Sequence, residues 1–179
     1  MAQNKPALAM KRFRLDILRI ALFALALSCT LIVNAHALDK GDKAVDFTLP
    51  GKVGTVKLSD NAGSVIYLDF WASWCGPCRQ SFPWMNQMQA KYKSKGLQVI
   101  AVNLDARNGD VMKFLAQVPA DFTVAFDPKG QTPRLYGVKG MPTSFLIDRS
   151  GKVLSRHLGF RADETVDLER QIQAALEAR

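Results

Sequence analysis

Ser64 to Phe70 (Ser-Val-Ile-Tyr-Leu-Asp-Phe) is a nearly continuous apolar run, and a helical pattern follows it from about Pro77. A strand that is apolar at successive positions, rather than alternate ones, is buried on both faces. The sheet containing it must therefore be covered by layers on both sides, which points to an α/β architecture. Between run and helix stands Trp74-Cys75-Gly76-Pro77-Cys78. Two thiols are thus placed where a buried strand passes into a helix.

The rest of the chain repeats that logic. Val45, Phe47 and Leu49 alternate in an extended opening stretch from Leu38 to Pro50, and Val53 to Leu58 is expected to be a strand. Phe82, Met85, Met88 and Tyr92 share one face of a helix running to about Lys93, which Pro83 should kink and Gly96 should end. Val99 to Leu104 is a second buried strand. Asp110 to Val118 is a short helix with a stripe of Val111, Phe114, Leu115 and Val118, and Phe122 to Phe126 is a short strand. Thr132-Pro133 has the form of an N-cap and first helical residue, opening a turn that ends near Gly137. Thr143 to Ile147 and Val153 to Leu158 form a hairpin around Asp148 to Gly151, and Asp163 to Ala178 is a final helix facing inward through Leu168, Ile172, Ala175 and Leu176. The result is one α/β domain, residues 38–179, with a mixed sheet flanked by helices.

Residues 1–37 read as a targeting segment. Lys11-Arg12-Phe13-Arg14 precedes an apolar run from Ile20 to Val33, and Ala35-His36-Ala37 offers small residues at the −3 and −1 positions of a signal peptidase site. The run has 14 residues, short of the ~20 that a stable spanning helix requires. Cleavage after Ala37 is expected, giving export to the periplasm. An uncleaved anchor built on residues 11–33 is the competing reading, since Ile17 and Leu18 lengthen the apolar segment. Cys29 is read as a small apolar residue of this segment rather than a lipidation site, because Ala26-Leu27-Ser28 matches a lipoprotein signal poorly.

Net charge matters here only for what it excludes. The formal charge of +8 includes five cations and one anion from the first 37 residues. Taking those five from 24 and that one from 16 leaves 19 basic against 15 acidic residues, a net of +4. The remaining cations are scattered among acids, so no nucleic-acid surface is expected.

Removal of the segment leaves two cysteines, Cys75 and Cys78, in a chain sent to an oxidising space. They stand too close in sequence to staple a fold by closing a long loop. At the start of a helix, free N–H groups and the helix dipole favour the thiolate, which is the attacking species in disulfide exchange. A c-type haem site needs histidine after the second cysteine, where Arg79 stands. A structural zinc needs four ligands, and His157 is the only further soft ligand after residue 37. Neither a metal nor another cofactor is expected.

Leu68 to Arg79 strongly resembles the thioredoxin active-site segment, and Gly140-Met141-Pro142-Thr143 resembles that family's cis-proline loop. Pro83 sits where the family's helix-kinking proline does. The fit to the TlpA/ResA branch is closer. Gly41 to Leu49 resembles the branch's opening, Asn103 to about Pro128 its strand–helix insertion, and Leu146 to Val153 its typical loop. The resemblance spans nearly all of Leu38 to Arg179. It implies an exported thiol–disulfide oxidoreductase in which Cys75 attacks and Cys78 resolves. Asp69 would relay a proton to and from Cys78, as a carboxyl raised in pKa by its apolar strand could. Trp74, Gly76, Pro77, Met141 and a cis Pro142 would meet the substrate, with Trp71 also resembling the aromatic rim.

It implies partners too: client proteins with disulfides or thiols, in cytochrome c maturation or the assembly of oxidase copper sites, and a membrane thiol-reductase of DsbD or CcdA type as electron donor. Two departures stand out. Ala101 occupies the place of the lysine that accompanies the acid in many thioredoxins, and Ser81 stands where the branch usually carries Glu. Two other functions remain open at this level. A peroxiredoxin-like peroxidase would need Pro and Thr where Leu68 and Ala72 stand, and a copper carrier would draw on His157 with the cysteines. Trp84 and His157 otherwise read as ordinary core or surface residues.

Overall fold

The computed structural model describes residues 37–178. The targeting segment up to His36, including Cys29, lies outside them. Among the described residues no helix is long and apolar enough to cross a membrane.

The apolar run forms β3 (Val65–Trp71), every residue of which is buried. It lies at the centre of a five-stranded sheet of order β5-β4-β3-β6-β7, where β4 is Leu97–Asn103, β5 Thr123–Phe126, β6 Thr143–Ile147 and β7 Val153–Leu158. β3, β4 and β5 run parallel, while β6 and β7 pair antiparallel. Alternation along β3 divides the molecule. Val65, Tyr67 and Trp71 enter one core, which is completed by α1 (Gly76–Tyr92), α2 (Asn108–Gln117) and α4 (Thr165–Glu177). Ile66, Leu68 and Phe70 enter the other, closed by the hairpin of β1 (Thr48–Pro50) and β2 (Thr55–Lys57) and by Tyr136, which follows α3 (Gln131–Leu135).

The helix faces read from the sequence are the faces buried. Phe82, Met85, Met88 and Tyr92 of α1 are all in the core, as are Val111, Phe114 and Leu115 of α2 and Leu168, Ile172 and Ala175 of α4. The helix α1 continues through Pro83, which has no N–H to offer the preceding turn. Its Gln89 reaches β4 where β5 does not. Gln89 Oε1 accepts from Val99 N–H at 2.7 Å and Nε2 donates to Leu97 O at 3.4 Å, beyond the end of the β4–β5 ladder at Ile100. Backbone groups that a sheet partner would otherwise satisfy are thus satisfied by a helix side chain.

Three local expectations change. The strand expected over Val53 to Leu58 is only three residues long, because Val53 belongs to the Gly51–Gly54 turn and Leu58 opens a 3-10 turn over Leu58–Asn61. Thr132 is not an N-cap. The helix α3 is entered from Gly130 at φ 62°, and Asp127 Oδ2 accepts from the Thr132 N–H at 2.7 Å. A carboxylate from outside the helix does the capping. Trp71 is wholly buried, 4.7 Å from the rings of both Phe82 and Phe114, so it is core and not rim. Trp84 is core as well, edge-on to Tyr67.

Candidate active site

Local chemistry places both cysteines at the junction of β3 and α1. The chain leaves the sheet after Trp71 and turns at Ala72-Ser73-Trp74, where Cys75 N–H bonds to Ala72 O at 3.1 Å. Cys75 is the N-cap of α1, in extended conformation, and its Sγ accepts from the Cys78 N–H at 3.2 Å. Pro77 lies in the first turn, where a missing donor leaves nothing unsatisfied. Cys75 and Cys78 form a disulfide with their Cα atoms 5.3 Å apart. Exposure separates the residues around it. Trp74 is 73% exposed, and Gly76 and Pro77 are exposed too, whereas Cys75 is 5% and Cys78 0% exposed. A Cβ at Gly76 would meet nothing within 4 Å, so the backbone there is open to a neighbouring chain. The Met141–Pro142 peptide is cis, and Met141 packs half-buried against the core cluster that holds both cysteines.

Asp69 lies on that same side of the sheet, between Tyr67 and Trp71 in the alternation of β3, and is 1% exposed. Burial drives its carboxyl well above the usual carboxylate range, since the ion would lose its hydration. The Ser144 hydroxyl acts in the opposite sense. Ser144 is the cross-strand partner of Asp69 in β6, and Ala101 is its partner in β4. The Tyr67 hydroxyl donates to Ser144 Oγ at 2.8 Å, and its own proton is held more tightly through burial and the nearby Asp69 charge.

His157 stands one strand beyond Ser144. Its Nε2 lies 3.1 Å from Glu164 Oε2, although the two are not aligned as a hydrogen bond. Among the described residues no three His, Cys, Asp or Glu side chains converge as metal ligands would.

Asp105 was not singled out from the sequence. It is 8% exposed and follows β4 at the start of the insertion. Its Oδ2 accepts from Ser73 N–H and from Asn103 Nδ2, both at 2.7 Å, and its Oδ1 accepts from the Ser73 hydroxyl at 3.0 Å. Asp105 thereby fastens the turn that delivers Cys75. One signal was available: in open α/β sheets, sites gather beyond the carboxyl ends of adjacent parallel strands, and β3 and β4 end together at Trp71 and Asn103.

A buried cysteine pair joined as a disulfide at a helix N-terminus, in a mixed sheet with a cis-proline loop nearby, defines a thioredoxin-like thiol–disulfide oxidoreductase. The chain belongs to the Redoxin family, whose match spans residues 39–172, and within the thioredoxin superfamily it is TlpA/ResA-like. It is 37% identical over 131 residues to the thiol-disulfide oxidoreductase ResA of Bacillus thuringiensis subsp. konkukian, covering 73% of this chain and 76% of the relative. The ResA of Geobacillus kaustophilus is 34% identical over 139 residues, with 77% and 79% covered. Among solved structures, the chain is similar to a Chlorobium tepidum protein described as a thiol:disulfide interchange protein DsbE. That likeness has a TM-score of 0.77 and 81% identity, covering 78% of this chain and 99% of the other. A Bacteroides thetaiotaomicron protein described as a protein disulfide isomerase aligns with a TM-score of 0.71 and 28% identity, over 80% and 96%.

Proposed function

We propose that this enzyme is exported and uses Cys75 and Cys78 to reduce disulfides in client proteins outside the cytoplasm. The observation that carries the reading is the asymmetry of the pair. Cys75 caps the helix, with an amide aimed at its sulfur and exposed Trp74, Gly76 and Pro77 around it, while Cys78 is sealed in the core. An attacking group needs access and a stabilised thiolate, and a resolving group needs only to reach its neighbour.

In the cycle, the Cys75 thiolate attacks one sulfur of the client disulfide, and the client's other sulfur leaves as a thiolate that water protonates. Cys78 then attacks Cys75 Sγ, and its proton passes to the Asp69 carboxylate. The client's second sulfur departs, and Cys75–Cys78 closes. The client gains two electrons, which the pair loses. Met141 and Pro142 would receive the client backbone beside the cysteines, with Trp74, Gly76 and Pro77 as the other contacts. Restoring the dithiol requires a reductant. A membrane thiol-reductase of DsbD or CcdA type fits an exported enzyme, with residues 1–37 as a signal or an anchor. Clients in cytochrome c maturation or oxidase copper-site assembly are the finer reading, suggested by the resemblance to the TlpA/ResA branch.

The experiment is trapping in the exporting cell with the full chain carrying Cys78→Ser. Mixed disulfides should accumulate through Cys75, disappear in Cys75→Ser/Cys78→Ser, and identify the clients. The direction of transfer rests on the potential of the pair. A value of about −270 mV fits a reductant, whereas one above roughly −150 mV marks an oxidant and sinks the proposal.

A further inference from the structure

Asp69 is closed off from water, so whatever prepares its carboxyl for a proton must lie within the core. The groups facing it can be named element by element. The strand β4 offers Ala101, which has nothing to donate, and β3 offers Tyr67 and Trp71 on the same face. On α1, Cys78 and Trp84 belong to the same core, and the buried Ser81 has its hydroxyl already given to the Cys78 carbonyl at 3.0 Å. The strand β6 offers Ser144 directly across. Beyond it in β7 is His157, beside Glu164, whose other oxygen is 3.0 Å from Arg161. Lys91 and Glu169 lie at the far end of α1, bound to each other and to Tyr92.

Ser144 alone has a hydroxyl directly opposite the acid, and its orientation is set from behind. Tyr67 O–H donates to Ser144 Oγ at 2.8 Å, which fills an acceptor position on that oxygen and leaves the serine proton free to point elsewhere. Asp69 Oδ2 is buried and has no hydrogen-bond partner among the described residues, so an acceptor is open to a donor from across the strand pair. A hydroxyl that accepts one hydrogen bond becomes a better donor of the next.

We propose that Ser144, oriented by Tyr67, is the positioning residue that holds Asp69 ready to take the proton of Cys78. The inference rests on the proposed role of Asp69 in resolution. As Cys78 sulfur bonds to Cys75 sulfur and the client sulfur leaves, the proton moves from Cys78 to the carboxylate. That transfer requires the carboxylate to be ionised beforehand. A serine O–H aimed at it stabilises the ion where no water can, and so lowers the pH at which the step runs. The Ser144 hydroxyl, held by Tyr67, supplies from β6 the donor that Ala101 in β4 lacks.

The test follows the rate of mixed-disulfide resolution against pH, together with a direct titration of Asp69 by carbon-13 NMR of the reduced protein. Ser144→Ala should move both the rising limb of the rate and the Asp69 titration upward by about one to two pH units. Tyr67→Phe should move them the same way by less, and Ser144→Thr, which keeps the hydroxyl, should restore them. In an Asp69→Asn background, Ser144→Ala should change nothing further. If Asp69→Asn leaves the wild-type profile intact, the role given to Asp69 is wrong. If Asp69→Asn removes the limb but neither Ser144→Ala nor Tyr67→Phe shifts it, the role of Asp69 stands and the serine's is overturned. Should Ser144→Ala fail to fold, Tyr67→Phe and Ser144→Thr decide alone, an unshifted Tyr67→Phe profile counting against the proposal.

Discussion

Leu68 and Asp69 are neighbours in β3, buried to 0% and 1% exposure, yet they face opposite halves of the molecule. The side of Leu68 is built on an apolar box, and the buried Asp127 and Thr132 on that side are engaged in capping α3. Its cluster runs from Phe47 of the opening stretch through Phe70 and Ile100 to Val153. Phe70, Tyr136 and Phe145 meet ring to ring there, with centroids 5.2 to 6.0 Å apart. Its tyrosine sends the hydroxyl outward to Val45 O at 2.6 Å, clear of the box. The side of Asp69 has equally dense aromatic packing around Trp71, Phe82 and Phe114, but polar groups are let into it. Asp69, Ser144 and Tyr67 are buried there, beneath the helix that carries both cysteines, as is that helix's own Gln89. One side is built for stability alone, and the other gives up stability to keep an acid in the core.

Leu68→Ala tests the first half of that contrast and should have the largest effect on stability. Removing a fully buried leucine side chain costs about 2–5 kcal/mol, through lost transfer energy and the cavity left behind. Urea unfolding of the oxidised protein should show this loss, while disulfide reduction by the remaining folded protein proceeds at the parent rate at 25 °C. A comparable fall in resolution rate would mean that the two sides are not independent.

Asp69→Asn tests the other half, with the opposite sign. The folded acid holds its proton to higher pH than the unfolded one, whose ordinary value is 3.8. Above that value the native state binds more protons than the unfolded state. The wild type therefore loses stability as pH rises, by up to about 1.4 kcal/mol per pH unit, until the folded carboxyl ionises. Asparagine carries no such penalty. The variant should match the wild type most closely near pH 4 and exceed it increasingly toward neutrality, while its resolution slows. Parallel stability curves for the two proteins would show that the buried acid is not the source of the cost.

The contrast also explains what could be read from the sequence. Both buried strands, the helical stripes and the Thr143–Ile147 and Val153–Leu158 hairpin were legible, because each depends on residue periods within a short window. Asp69 was legible as the one charge in an apolar run, and the cysteines by their spacing. Ser144 and Tyr67 were not, since a serine in a strand says nothing of the hydroxyl that meets it 77 residues away. Asp105 was missed for the same reason, its partner Ser73 lying 32 residues back. Trp71 and Trp74 look alike in sequence. They differ because Trp71 ends the strand and turns inward, whereas Trp74 lies in the turn beyond it.

The smallest expected effect concerns Asp127, on the side of Leu68. The sequence suggested that Thr132 starts its own helix, but Thr132 is buried and its N–H is taken by Asp127 from five residues upstream. The same aspartate closes a turn through its backbone, with Asp127 O accepting from Gly130 N–H at 3.0 Å. This arrangement aims α3 so that Tyr136 reaches Phe70 and Phe145. Asp127→Ala removes the side-chain cap and leaves the backbone turn, so it should cost about 1 kcal/mol. Asp127→Asn keeps an acceptor oxygen and should recover most of that loss. Because the proposed chemistry lies on the opposite side of β3, the alanine variant should resolve mixed disulfides at the parent rate at every pH. A shifted pH profile in Asp127→Ala would connect the two sides of β3 through α3 and Phe145, the residue next to Ser144. The division of the molecule into a structural and a chemical half would then fail.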